Sequence, residues 1–221
     1  MKIKGKIFGA GTGLIFGGLP GALIGGMVGH LFDLFHTDSG NEKLESLKEM
    51  VYWAARASSL DDKFMFSKRE YVRNNIVNGI PEDQQLSLLR LFDKYLNNEN
   101  MKIVSLSSSK FKKDRYDNFQ IIYNLMSIGG INGVKREYLA KIAKRFGLSK
   151  DEFHLIDKEF RERENIMNND IKNAIGTLRL PIIFQRKDLL SQYKILKSDF
   201  KDRSEELDKA FVKLENYLKE A

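Results

Sequence analysis

The chain has 221 residues, of which 42% are hydrophobic and 30% charged, so it can bury a core and is not a disordered polymer. Its 37 basic and 30 acidic residues give a net charge of +7, which mildly favours an anionic neighbour such as lipid headgroups or nucleic acid. The absence of cysteine excludes disulfides, thiolate metal sites and a cysteine nucleophile. With three prolines and long stretches of helical periodicity, the sequence predicts an all-α fold.

Residues 1–34 are predicted to be a membrane segment. No charged side chain occurs from Ile7 to Gly29, and these 23 residues would rise about 34 Å as a helix, enough to cross a hydrocarbon core of about 30 Å. Glycine recurs at every fourth position, at Gly9, Gly13, Gly17, Gly21, Gly25 and Gly29. Such a stripe lets two helices approach closely in lipid, so we predict a glycine zipper through which the chain forms a homo-oligomer.

Two alternatives stay open for this segment. Pro20 lies in its middle, which is also compatible with a kinked helix or a re-entrant hairpin turning at residues 17–21. Lys2, Lys4 and Lys6 resemble the charged start of a signal peptide, although the apolar run is long and no Ala-x-Ala cleavage site follows. The same lysines favour a cytoplasmic N-terminus and an external body, but so short a tail is weak evidence for orientation.

A four-residue sequence, Lys-Arg-Glu-Tyr, occurs at residues 68–71 and again at 135–138, an offset of 67 residues. Each copy follows one amphipathic helix, predicted at residues 44–58 and 118–128, and precedes another, predicted at 82–96 and 150–164. The order and spacing agree, so residues 41–165 are predicted to be a duplicated helical bundle of two three-helix units.

Helix boundaries in this region carry local signals. Ser67 with Glu70, and Ser149 with Glu152, have the spacing of capping boxes, while Gly79 followed by Pro81 and, later, Gly147 are typical of helix ends. The residues predicted to face inward are Leu47, Val51 and Ala54; Leu86, Leu89, Phe92 and Leu96; Phe119, Ile122 and Leu125; and Leu139, Ile142 and Phe146. Residues 97–117, polar and basic, are predicted to be a loop.

The two-unit arrangement resembles the TerB-type tellurite-resistance fold. In that family each loop before such a helix carries an Ala-Asp-Gly run with a Glu about seven residues later, which suits a hard cation such as calcium. Here the first loop offers Asp61 and Asp62, with Glu70 at the later position, whereas the second loop, residues 128–134, has no carboxylate. We predict no metal and no other cofactor, and leave open whether Asp61, Asp62 and Glu70 bind one.

Residues 166–185 are predicted to be a linker and residues 186–221 a helical hairpin, whose apolar seam includes Tyr193, Leu196, Phe211 and Leu214. The sequences at 193–196 and 205–214 resemble the opening of a J domain. In J domains the second helix leads into a His-Pro-Asp tripeptide that stimulates DnaK-type ATPases, but here Lys219, Glu220 and Ala221 stand at that position. The resemblance therefore implies a truncated or degenerate J domain, with a DnaK-type chaperone as a candidate partner.

Taken in order, the glycine-rich segment, the TerB-like body and the J-like tail resemble the DjlA family of membrane-anchored DnaJ-like proteins. That resemblance implies a single-pass protein of the cytoplasmic (inner) membrane, which dimerises through its transmembrane segment and whose body faces the cytoplasm.

No catalytic constellation is visible in the sequence. The three histidines, at 30, 36 and 154, are scattered, and no phosphate-binding loop or dinucleotide fingerprint occurs. We therefore expect a non-enzymatic, membrane-tethered, self-associating interaction or chaperone-related protein. One alternative is a basic helical nucleic-acid-binding protein using residues 110–115 and the basic C-terminal tail, which we favour less because no reading module accompanies the charge. The other is a functional DnaK co-chaperone.

Overall fold

The computed structural model describes residues 40–61, 63–97 and 114–220, so the predicted membrane segment and most of the basic loop lie outside the described residues. The described part of the chain forms nine α-helices and no strand, which confirms the all-α class. The helices are α1 (Gly40–Ser58), α2 (Met65–Asn75), α3 (Glu82–Leu96), α4 (Arg115–Ser127), α5 (Gly133–Arg145), α6 (Lys150–Ile166), α7 (Asn169–Thr177), α8 (Arg186–Asp199) and α9 (Ser204–Glu220).

Local signals account for several helix ends. Helix α3 has the predicted bounds, and Pro81 immediately precedes its first residue. Gly147, at φ +74°, closes α5, because its N–H donates to Lys144 O (3.1 Å) and the next N–H donates back to Ala143 O (3.0 Å). The capping box of Ser149 and Glu152 is confirmed: each side chain accepts the other residue's backbone N–H, at 3.1 and 2.7 Å.

One boundary prediction and one packing prediction are wrong. Helix α2 begins at Met65, after Phe64 in the left-handed region (φ 59°), so Ser67 lies inside the helix with its hydroxyl buried and unbonded rather than capping it with Glu70. Leu86 is 44% exposed because α3 buries the stripe of Leu88, Leu89 and Phe92, from which Leu86 is rotated by roughly 110° around the helix.

An aromatic group joins the two predicted units at the centre of the core. Helix α1 packs against both α3 and α4. The Trp53 ring of α1 lies 5.2 Å from the Phe146 ring, which in turn lies 5.8 Å from the Phe119 ring of α4. All three side chains are buried, and such tilted and edge-on contacts are favourable beyond the area they bury.

The bundle has two distinct ends. The C-terminal ends of α1 and α4 lie together at one end of the bundle, which we call the loop end. There the Phe64 ring covers Gly129, and Asp61 pairs with Lys135 (3.2 Å). Helix α5 runs back from this loop end until Phe146 reaches Trp53. Because α1 has 19 residues and ends at the loop end, its first turn lies about 27 Å away along the helix axis, at the end that we call the N-terminal end.

Residues 166–185, which the sequence predicts to be a linker, contain helix α7 and a buried irregular stretch at residues 180–184. The Asn124 side chain of α4 bonds both backbone groups of Ile183 in this stretch. Its Oδ1 accepts from Ile183 N (3.0 Å), and its Nδ2 donates to Ile183 O (2.6 Å). The same Nδ2 donates to the Tyr71 hydroxyl (3.2 Å).

Helix α9 packs on α7 and α8, and α8 packs on α2. The Asn75 side chain of α2 donates to Asp188 of α8 (2.9 Å), so the C-terminal hairpin is bonded directly to the body. The division of the chain into domains stays a prediction.

We expect Asn124→Ala to lower the free energy of unfolding by about 3 kcal/mol, since it leaves a buried N–H and a buried carbonyl of Ile183 without partners. Chemical denaturation of the full chain in detergent, followed by circular dichroism, measures this. The matched control is Asn97→Ala, because the exposed Asn97 side chain also bonds a backbone carbonyl. Equal small losses in both variants would contradict the role given to Asn124.

Candidate functional site between the two loops

The lysine of each Lys-Arg-Glu-Tyr copy is buried, which is rare for an ammonium group. Lys68 is 2% exposed, and its Nζ donates to the carbonyls of Ser58 and Asp61, at the end of α1 and in the loop that follows. A helix leaves its last carbonyls unbonded and carries partial negative charge there. The buried Lys68 ammonium donates hydrogen bonds to these carbonyls and places a positive charge beside the negative end of α1. It thereby holds the first loop against α2.

Lys135 makes the equivalent contacts in the second copy. It is 4% exposed, and its Nζ donates to the carbonyls of Met126 (3.2 Å), Ile128 (3.2 Å) and Gly130 (2.9 Å), which end α4 and begin the second loop. Its ammonium also pairs with Asp61 Oδ2 of the first loop, at 3.2 Å. Lys135 therefore joins the two loops.

The arginine of each copy pairs with an aspartate of the next helix. The Arg69 guanidinium donates to Asp93 of α3 at 3.0 Å, and that of Arg136 donates to Asp157 of α6 at 2.8 Å. Burial raises the pKa of Asp157, but hydrogen bonds from Tyr123 and from two arginines outweigh it, so the pKa lies below its ordinary value. Both arginines thus tie the second predicted helix of a unit to the third.

The tyrosine of each copy reaches a backbone carbonyl in the opposite unit. The Tyr71 hydroxyl donates to Ile121 O of α4 (3.5 Å), and the Tyr138 hydroxyl donates to Arg56 O of α1 (3.1 Å). Burial raises the pKa of Tyr71, so the neutral hydroxyl is the form that makes this contact. The glutamates differ, since Glu70 is buried and pairs with Arg73 (2.9 Å) whereas Glu137 is exposed.

A cleft of about 500 Å³ lies between the two loops at the loop end of the bundle, and we call it the inter-loop cleft. A Cβ at Gly129 would lie 2.6 Å from the Phe64 ring, so only glycine fits at this contact. Leu60 and Val134 line the cleft and are 36% and 65% exposed. Lys63, Asn132 and Glu164 line the cleft as well, so polar and apolar groups share its surface.

Two of the three carboxylates singled out at the first loop, Asp61 and Glu70, have cationic partners. Partial burial raises the pKa of Asp61, but the Lys63 N–H and the Lys135 ammonium outweigh it and the pKa lies below its ordinary value. Glu70 is paired with Arg73, and Asp62 lies outside the described residues. Within residues 40–61, 63–97 and 114–220, no group of three or more His, Asp or Glu is placed to hold a metal ion. Asp61 and Glu70 are thus engaged by cations of the chain itself.

The other residues singled out from the sequence lie elsewhere. The Tyr193 and Phe211 rings of the C-terminal hairpin are 4.4 Å apart, and Leu196 and Leu214 are buried beside them. The six glycines of the stripe lie outside the described residues, as does most of the basic loop. Of the basic residues at 110–115 only Arg115 is described, and it pairs with Glu152 (3.3 Å).

We expect Lys135→Met to lower the free energy of unfolding by about 3 kcal/mol, because a carboxylate and three carbonyls lose their shared donor. Lys141→Met, an exposed site on the same helix, is the control and is expected to change it by less than about 0.5 kcal/mol. Chemical denaturation compares the two. A loss no greater for Lys135→Met than for the control would show that the buried ammonium is not needed.

Comparison with known proteins gives one match, at the N-terminus. Residues 1–48 match the family model described as the co-chaperone DjlA transmembrane domain, and the match ends inside α1. No curated protein and no solved structure has significant similarity to the chain. In the part of the chain that the structure describes, no helix is both long and apolar enough to cross a bilayer. The match supports a membrane-associated, co-chaperone-related protein with a DjlA-like N-terminus.

Proposed function

We propose that the chain is a non-enzymatic adaptor, anchored in the inner membrane by its N-terminal segment and presenting its helical body to cytoplasmic partners. The observation that carries this proposal is the family match over residues 1–48, whose last residues lie in α1. Because α1 begins at the N-terminal end of the bundle, an anchor there leaves the inter-loop cleft pointing away from the bilayer.

The proposal includes a duplicated body. The paired lysines, arginines and tyrosines of the two Lys-Arg-Glu-Tyr copies bond the same kinds of partner in the two units, which supports two copies of one three-helix unit facing each other. The resemblance to the TerB-type fold stays a proposal of this kind. The J-like sequence of the C-terminal hairpin makes a DnaK-type chaperone the first partner to test.

The glycine stripe is proposed to hold two copies together in the membrane. We expect changing Gly13, Gly17 and Gly21 to Leu to abolish dimers of the full chain in detergent, because side chains would keep the helix backbones apart. Cross-linking and fluorescence transfer between labelled copies measure dimer formation.

The control changes Gly11, Gly18 and Gly26 to Leu, three glycines of the same segment that lie off the stripe. The control is expected to stay dimeric. A stripe variant as dimeric as the original chain would disprove the zipper, and equal loss in both variants would assign the effect to hydrophobicity instead.

A further inference from the structure

One surface of the body carries a concentration of positive charge for which the contacts described above give no use. Lys141, Lys144 and Arg145 are exposed on the last turns of α5, and Lys150 is exposed at the start of α6; we call these four residues the basic ridge. No residue from 138 to 150 is acidic, and the exposed Glu137 and Asp151, which flank the ridge, form no ion pair with it. Nearby Glu152 is engaged by the Ser149 N–H and Arg115.

The ridge residues have no ion-pair partner among the described residues, in contrast to the two other cations of α5. Lys135 and Arg136, in the first turn of that helix, are committed to Asp61 and Asp157. The cations in the first turn of α5 are therefore paired within the bundle, whereas those in its last turns are exposed and form no ion pair among the described residues. Free, clustered cations on one surface attract an anionic partner.

The position of the ridge identifies that partner. Helix α5 runs away from the inter-loop cleft, and Arg115 at the start of α4 pairs with Glu152 of α6, so the ridge lies at the end of α4, α5 and α6 that is remote from the cleft. A tether keeps the lipid surface at high effective concentration around the body, an advantage that no dissolved anion shares. Anionic headgroups at the cytoplasmic leaflet attract lysine and arginine placed near the membrane.

We infer that the basic ridge binds anionic phospholipid headgroups and so sets the orientation of the body on the bilayer. This inference rests on the proposed membrane anchoring. With the ridge against the lipid, the inter-loop cleft at the other end of α5 stays accessible to a protein partner.

The single tryptophan offers a direct measurement. Trp53 packs on Phe146, the residue after Arg145, so its emission reports the distance between the ridge and the membrane. The full chain is reconstituted into liposomes of phosphatidylcholine alone, or of equal parts phosphatidylcholine and phosphatidylglycerol, each containing dansyl-labelled phosphatidylethanolamine. We expect energy transfer from Trp53 to dansyl to be greater in the anionic liposomes and to fall as salt is added.

Lys141, Lys144 and Lys150 all changed to Gln should remove about half or more of that gain. The control changes Lys194, Lys201 and Lys219 to Gln, three exposed lysines of the C-terminal hairpin, and should keep it. Equal transfer in both lipids, or equal losses in both variants, would overturn the inference. Flotation after a carbonate wash distinguishes failure of the ridge inference from failure of the proposed membrane anchoring. A chain that no longer floats with the liposomes is not anchored in them, whatever the ridge does.

Discussion

The Lys135 ammonium lies at the point where the two halves of the body meet, and the rest of the architecture depends on it. Three carbonyls at the end of α4 and the Asp61 carboxylate converge on this group, which is almost completely buried. Without a donor, these oxygens would be held close together away from water, an arrangement that costs several kcal/mol. The contact fixes the second loop, brings the first loop to it, and thereby sets the walls of the inter-loop cleft.

Around this contact, each copy of the short repeat uses its residues in the same order. The lysine closes the preceding loop, the arginine holds the following helix, and the tyrosine crosses to the other unit. Because Tyr71 and Tyr138 each bond a carbonyl of the opposite half, the two units are joined reciprocally as well as by the aromatic core. Such reciprocity is what two copies of one unit facing each other would produce.

Much of the helical framework could be predicted from the sequence, because periodicity and punctuation act locally. Pro81 marks the start of α3, and the Ser149 capping box marks the start of α6. The sequence does not predict helix α7, because an asparagine-rich segment before Pro181 also has the composition of a linker. Its actual start is an Asn168 cap that accepts the Ile171 N–H at 2.9 Å.

The contacts that build the candidate site could be predicted only in part. The repeat drew attention to the right residues, but a lysine normally lies on the surface, and backbone carbonyls that would bury it leave no pattern in the sequence. The same holds for Asn124, whose partners Ile183 and Tyr71 lie 59 and 53 residues away along the chain. Long-range polar contacts of this kind become visible only when the fold is known.

We propose that this body is tethered to the inner membrane and faces the cytoplasm. Membrane topology tests it most directly: cells are extracted with carbonate, and protease is added to intact spheroplasts carrying a C-terminal tag on the chain. We predict that the chain stays with the membrane and that the tag is protected. Release by carbonate, or digestion of the tag from outside, would contradict the account and favour a peripheral or exported helical protein.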